Sequence, residues 1–122
     1  MQRLRCHSQF ERLLAAPAAA RTPHFALHCC AGEAEQLCVG VITPKRWARR
    51  AVTRNAIRRQ IYATGDAAQH ALPAGMYLVR LRAMFAPAQF PSATSTALRR
   101  AVRAELLALW QRAAKRLGSA AP

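Results

Sequence analysis

The residues able to do covalent or metal chemistry are few and scattered. Five acids (Glu11, Glu33, Glu35, Asp66 and Glu105) are spread over four segments, and only Glu33 and Glu35 share one. Two-metal nucleases gather carboxylates around their ions, and this pair has no third partner. Acid–base catalysis by histidine would need His7, His24, His28 or His70 beside a second proton carrier. His24 and His28, at i and i+4 of an expected strand, would face one side about 13 Å apart, too far to flank one phosphate. Cys6, Cys29, Cys30 and Cys38 form no C-x-x-C pair, and no mix of Cys6, His7, His28 and Cys38 has zinc-ligand spacing. The expectation is reduced, partly buried thiols, no catalytic residue and no metal site.

Phosphate recognition is the chemistry the sequence does support. Seven of the fifteen residues from Lys45 to Arg59 are basic and none is acidic. Pro44 forbids a helix running in from the left and Gly65 offers an exit on the right, so a helix is expected over most of 45–62. On it Arg50, Arg54 and Arg58 fall at i, i+4 and i+8 in one stripe. Stacked like charges repel by a few tenths of a kcal/mol per pair, so helix stability does not explain them. A polyanion laid along the stripe would turn that repulsion into attraction. Asn55 both donates and accepts between the charges, and Ile57 and Ile61 are expected to anchor the helix to a sheet. An ordinary solvated basic face is the alternative, and the absence of any acid in the run favours RNA or DNA.

Composition agrees. Nineteen basic residues face five acidic ones, a net charge of +14, and Arg supplies 17 of the nineteen. Arg offers bidentate phosphate contacts and stacking that Lys does not. A small domain this basic repels itself when free, which points to a polyanionic partner. The basic helix lacks the broad Leu, Phe and Trp face of an interfacial membrane helix, so no membrane partner is expected. No stretch reaches the ~18 apolar residues of a transmembrane helix. Leu13 to Ala20 imitates a signal peptide, but Glu11 and Arg12 interrupt its start and Pro17 splits it.

The elements that must position the basic run follow in order. Residues 1–7 read as a loose basic arm. Ser8 and Glu11 read as a capping box opening a short helix to about Ala16, with Phe10, Leu13 and Leu14 on its face. Residues 17–23 read as a linker. His24 to Cys30 and Leu37 to Thr43 read as two strands of a β-hairpin, the second central in the sheet. Met76 to Arg82 is a third strand, with Leu81 inward and Arg80 and Arg82 outward. Residues 92–96 offer caps for a last helix whose stripe is Leu98, Val102, Leu106, Leu109, Trp110, Ala113 and Leu117, ended by Gly118. One domain over 1–122, with 118–122 a tail, is expected. The class is α+β, a small central sheet covered by three helices.

Ala51-Val52-Thr53-Arg54-Asn55-Ala56-Ile57-Arg58-Arg59, preceded by Val39-Gly40-Val41 and Lys45-Arg46, resembles the signature of the bacterial ribonuclease P protein subunit family. The family carries a strand, a Ser/Thr-x-Lys-Lys/Arg segment and a helix reading A-V-x-R-N-R-I-K-R. Ala56 stands where the family usually has its second Arg, and Gln60 and Tyr62 are uncommon choices. The resemblance is close over residues 3–62 and rests on topology and a Leu-rich helix beyond Met76.

The resemblance implies the family's fold, with the basic helix as the crossover. It implies a subunit of an endoribonuclease that removes the 5′ leader of precursor tRNA in the cytoplasm. The catalytic RNA would hold the active site and its Mg2+, the protein binding no cofactor of its own and needing no obligatory protein partner. It implies catalytic-RNA contacts at Lys45, Arg46, Arg50, Arg54, Asn55, Arg58 and Arg59. A cleft between the first helix and the sheet would hold the leader: Phe10 matches a family aromatic, Leu14 stands where a second Phe can occur, and His28 where Tyr is frequent. Phe25 is expected in the core instead. A non-enzymatic basic RNA-binding module, such as a ribosomal protein or RNA chaperone, is the other reading.

Overall fold

Alternation along the strands sets the architecture. In the computed structural model, which describes residues 1–32, 34–85 and 96–117, the elements run β1 (Gln2–Arg3), α1 (His7–Ala15), β2 (Ala18–Arg21), β3 (Phe25–Ala31), β4 (Leu37–Ile42), α2 (Ala51–Ala68), a short 3₁₀ turn (Gln69–Ala71), β5 (Gly75–Leu81) and α3 (Thr96–Arg116). They form one five-stranded sheet in the order β1-β4-β5-β3-β2. β5 runs parallel to β4 and antiparallel to β3, while β1 lies parallel to β4 at one edge and β2 antiparallel to β3 at the other.

The sheet thus corrects the expected hairpin. β3 and β4 do not pair, because β5 lies between them. The reason is burial: every residue of β5 except Arg80 is buried, so this strand takes the centre with a neighbour on each edge. Two further strands were hidden in weak sequence. The supposedly loose arm contains β1, with Leu4 buried and the Arg3 guanidinium 4.1 Å above the Tyr62 ring. The supposed linker contains β2. Residues 92–95 and 118–122, read as caps and tail, lie outside the described residues.

Each face of the sheet has its own core. Phe25, Leu27, Val39, Val41, Tyr77, Val79 and Leu81 point to one side, where α2 brings Ile57 and Ile61 and α3 brings Leu98, Val102, Leu106, Leu109, Trp110 and Ala113. Cys38, Met76 and Leu78 point to the other, where Leu4 and Leu13 of the α1 side cover them. α1 starts one residue before the expected capping box, with Cys6 as its cap residue; Ser8 makes no cap bond and its hydroxyl lies 3.0 Å from the Cys6 thiol.

α2 is displaced along the sequence from the expected span. Residues 45–50 form an approach of turns, in which the Pro44 carbonyl accepts from the Trp47 and Ala48 amides at 3.0 and 3.1 Å. The helix then continues through Gly65, which does not end it. A Cβ at Gly65 would sit 3.1 Å from Cζ2 of Trp110, so glycine is there for close helix–helix contact. Next to it the Trp110 indole N–H donates to the Thr64 hydroxyl at 3.0 Å, and that hydroxyl donates to the Gln60 carbonyl at 2.7 Å. Thr64→Val removes this acceptor from the buried indole, and should cost about 1–3 kcal/mol. A lower urea midpoint with an unchanged m-value would show it.

Candidate nucleic-acid interface

The basic residues converge around the start of α2. Lys45, Arg46, Arg49 and Arg50 are exposed on the approach, and Asn55, Arg58 and Arg59 are exposed on the helix. Arg50 is the extended residue before the first turn, not a member of the helical stripe. That first turn contains no acid and receives no side-chain cap, so its amide ends are left to face an anion. Arg46 lies with its guanidinium 5.1 Å above the Trp47 ring. Ala56 is half-buried.

Arg54 has a second occupation that its type alone does not reveal. It is half-buried, and one Nη1 donates to the carbonyls of Ala48 at 3.0 Å and Arg49 at 2.9 Å. It therefore ties the approach to the first turns of α2 and holds Arg49 and Arg50 in place. Arg58 and Arg59 are the cleaner contact candidates.

The three residues expected in a cleft lie together at α1, in different states. Phe10 is half-buried with its ring against Gly40, where an added Cβ would come within 2.8 Å of ring Cε1. Leu14 is exposed, at 44% of its full surface. His28 is buried at 5% exposure and offers no open ring face. Its Nδ1 lies 2.8 Å from the Ala16 carbonyl, which only accepts, so Nδ1 carries the proton. Nε2 is then an acceptor, and Arg80 Nε–H donates to it at 3.1 Å. Arg80 was read from the sequence only as an outward strand residue; its link to His28 spans 52 positions and has no local signal.

Glu105 and His24 are tied into the fold. Glu105 of α3 accepts from the Thr22 hydroxyl, the His24 amide and His24 Nδ1–H, each at 2.7 Å. His24 also stacks on Phe85 with ring centroids 3.9 Å apart. His24 thus turns to α3, while His28 sits under α1, and the two do not share a side. Burial pushes the Cys29 thiol up to about 11, away from thiolate chemistry. Among the described residues no three His, Cys, Asp or Glu side chains group to hold a metal ion, and no helix is long and apolar enough to cross a membrane. Glu33 lies outside the described residues.

Burial, and then the neighbouring Arg80 and Arg21 charges, hold His28 below its ordinary pKa despite the Ala16 carbonyl. On acidification the unfolded chain therefore takes up this proton first. The stability that neutral His28 contributes is complete above about pH 6.5 and is lost as pH falls from there through the lower folded-state value. Urea midpoints taken from about pH 7.5 down to 5.5 should fall, and His28→Gln should flatten that decline.

Comparison with known proteins agrees with this arrangement. The family model described as Ribonuclease P matches residues 1–114. A ribonuclease P protein component of Bordetella parapertussis is 43% identical over 77 residues, an alignment taking in 63% of this chain and 58% of that protein. One from Ralstonia pickettii is 34% identical over 117 residues, 96% of this chain and 82% of the relative. The chain thus spans less than two thirds of the Bordetella relative and most of the Ralstonia one. The Staphylococcus aureus RNase P protein structure superposes with a TM-score of 0.69 at 19% identity, covering 91% of this chain and 94% of that one. The Thermotoga maritima RNase P protein gives 0.69 at 18% identity, covering 92% and 97%. These two likenesses show a shared α+β fold, and with the family match over nearly the whole length they establish that the chain belongs to the ribonuclease P family.

Proposed function

We propose that this chain is the protein subunit of a ribonuclease P ribonucleoprotein, an endoribonuclease that matures the 5′ end of tRNA. It binds the catalytic RNA through the approach to α2 and the outer face of that helix, with Lys45, Arg46, Arg50, Asn55, Arg58 and Arg59 as contacts and Arg54 holding the approach. The 5′ leader of precursor tRNA lies along α1, against Phe10 and Leu14. The observation that carries this reading is the exposed, acid-free basic face of α2 in a chain of this family.

Cleavage belongs to the RNA subunit and the Mg2+ it holds. The described residues of this chain supply no set of three metal-ligating side chains. Of its histidines, His24 is engaged by Glu105, His28 is bonded at both nitrogens, and His7 pairs with Glu11 on the outer surface of α1 with no third described group beside them to hold a metal. What the protein contributes is charge and shape, phosphate contacts fixing position and an apolar wall for unpaired bases. The cytoplasm, where tRNA precursors are processed, is the proposed location.

The test is precursor-tRNA cleavage at low magnesium by a bacterial ribonuclease P RNA with this chain, without it, and with the chain alone. Cleavage only when RNA and protein are both present is the expected result. Binding without rescue would leave a basic RNA-binding module of the ribosomal-protein or chaperone type. Cleavage by the protein alone would mean an active site in the chain itself.

A further inference from the structure

The sheet face beneath α1 continues past the helix as a row of four residues, of which one is exposed, two are half-buried and one is buried. The register places Ile42 opposite Arg80, Arg80 opposite Ala26, and Ala26 opposite Arg21. Residues directly opposite one another share a face, so these four side chains stand in one line across β4, β5, β3 and β2. The next row is Gly40, Leu78 and His28, the row against which Phe10 lies and to which the end of α1 is tied through Ala16. The row of Arg80 is therefore the floor in front of the Phe10 and Leu14 wall. Two arginines stand on it, separated by one strand, which puts their backbones about 10 Å apart.

The geometry points to Arg80 and Arg21 as a backbone-phosphate subsite for single-stranded RNA, with His28 as the residue that positions Arg80. This rests on the reading of the α1 cleft as the leader site and names the groups that would grip the leader's backbone there.

Three observations carry it. First, the Arg80 side chain is aimed. Its Nε–H is committed to His28 Nε2 at 3.1 Å, which leaves both Nη groups of the guanidinium for a phosphate. His28 can serve only as a neutral acceptor, and the Ala16 carbonyl enforces that tautomer by accepting a hydrogen bond from Nδ1–H at 2.8 Å. A protonated imidazole would offer no acceptor and would repel the guanidinium. Second, the backbone under Arg21 is pinned. Arg112 of α3 donates to the Arg21 carbonyl at 2.5 Å, Arg82 Nε donates to the Thr22 carbonyl at 3.1 Å, and the Thr22 hydroxyl is held by Glu105 at 2.7 Å. The Arg21 side chain itself is exposed. Third, no described acid answers these charges on this face. Glu105 is bound on the opposite face, and exposed Glu11 on α1 pairs with His7 at 3.0 Å.

The occupant follows from the chemistry. Between the arginines lies the small, buried Ala26 and beside them the half-buried Ile42, so no polar group competes on this row, and the wall offers an aromatic and an aliphatic side chain. A flexible polyanion that can lay phosphates on the floor and bases on the wall matches that pattern. A duplex presents its bases inward and does not.

The test uses the reconstituted holoenzyme, with affinity measured for precursor tRNA and for mature tRNA over a range of salt. Arg80→Gln and Arg21→Gln should each weaken precursor binding several-fold and the pair more than ten-fold, with mature tRNA unchanged. The salt slope for precursor should become shallower by about 1.4 in the double variant, the value for two single-strand phosphate contacts. His28→Phe, which keeps the bulk and removes the acceptor, should reproduce the Arg80→Gln loss on precursor alone, and unchanged circular dichroism would show that it still folds. If wild type prefers precursor and the variants retain both that preference and its salt slope, the subsite is wrong while the cleft reading survives. If wild type itself binds precursor and mature tRNA equally, the cleft reading falls and the subsite with it.

Discussion

The rest of the structure depends on the parallel pairing of β4 with β5. Antiparallel neighbours can be joined by a tight turn, but parallel ones require the chain to cross back over the sheet. Here the crossover is α2, preceded by the turns of residues 45–50 and followed by the 3₁₀ turn at Gln69–Ala71. The basic helix is thus the connector that the sheet requires. Its inner side must fit the sheet and α3, which is why Ile57, Ile61, Thr64 and Gly65 are buried there, apolar or small. Only the outer side is free to carry arginine, and the pairing fixes where that side faces.

The same sheet separates two kinds of charged surface. One face packs on α2 and α3, the other on α1, and each has its own apolar cluster. On the α1 side, Gly40 lets the Phe10 ring approach the sheet closely. Replacing it with any other residue would force the ring aside, so this glycine sets the shape of the wall. With a net charge of +14, acids are scarce. Glu105 is used where it satisfies three donors of the Thr22–His24 turn at once, and it leaves the exposed arginines of α2 unneutralised. That use preserves the positive field on which association with RNA depends.

Much of this was legible in the residues, and the failures have physical causes. The α3 stripe was readable because six of its seven apolar positions are buried by one partner surface, with Leu117 half-buried at its end. β4 and β5 were readable from their apolar runs, but their order in the sheet was not. Proximity along the chain suggested a β3–β4 hairpin, and only the burial of β5 on both faces overrules it. β1 is two polar residues long and β2 is nearly all Ala, so neither carries a strand signal of its own. Gly65 looked like a helix exit because glycine often is one, whereas here its missing side chain admits Trp110. Of the expected interface residues, exposed Arg58 and Arg59 were visible in the motif. The carbonyl contacts of Arg54 and the His28–Arg80 bond were not, because they depend on backbone turns and on strand register.

The proposed engagement of two different RNAs by two separate surfaces of one small protein can be read by position-specific crosslinking. A photoreactive amino acid placed at Val52 on α2 or at Leu14 on α1, which are 50% and 44% exposed, reports on each surface directly. In the holoenzyme bound to precursor tRNA, crosslinks are expected from position 52 to the catalytic RNA and from position 14 to the 5′ leader. Crosslinks from both positions to the same RNA segment, or none from position 14 to the leader, would contradict it.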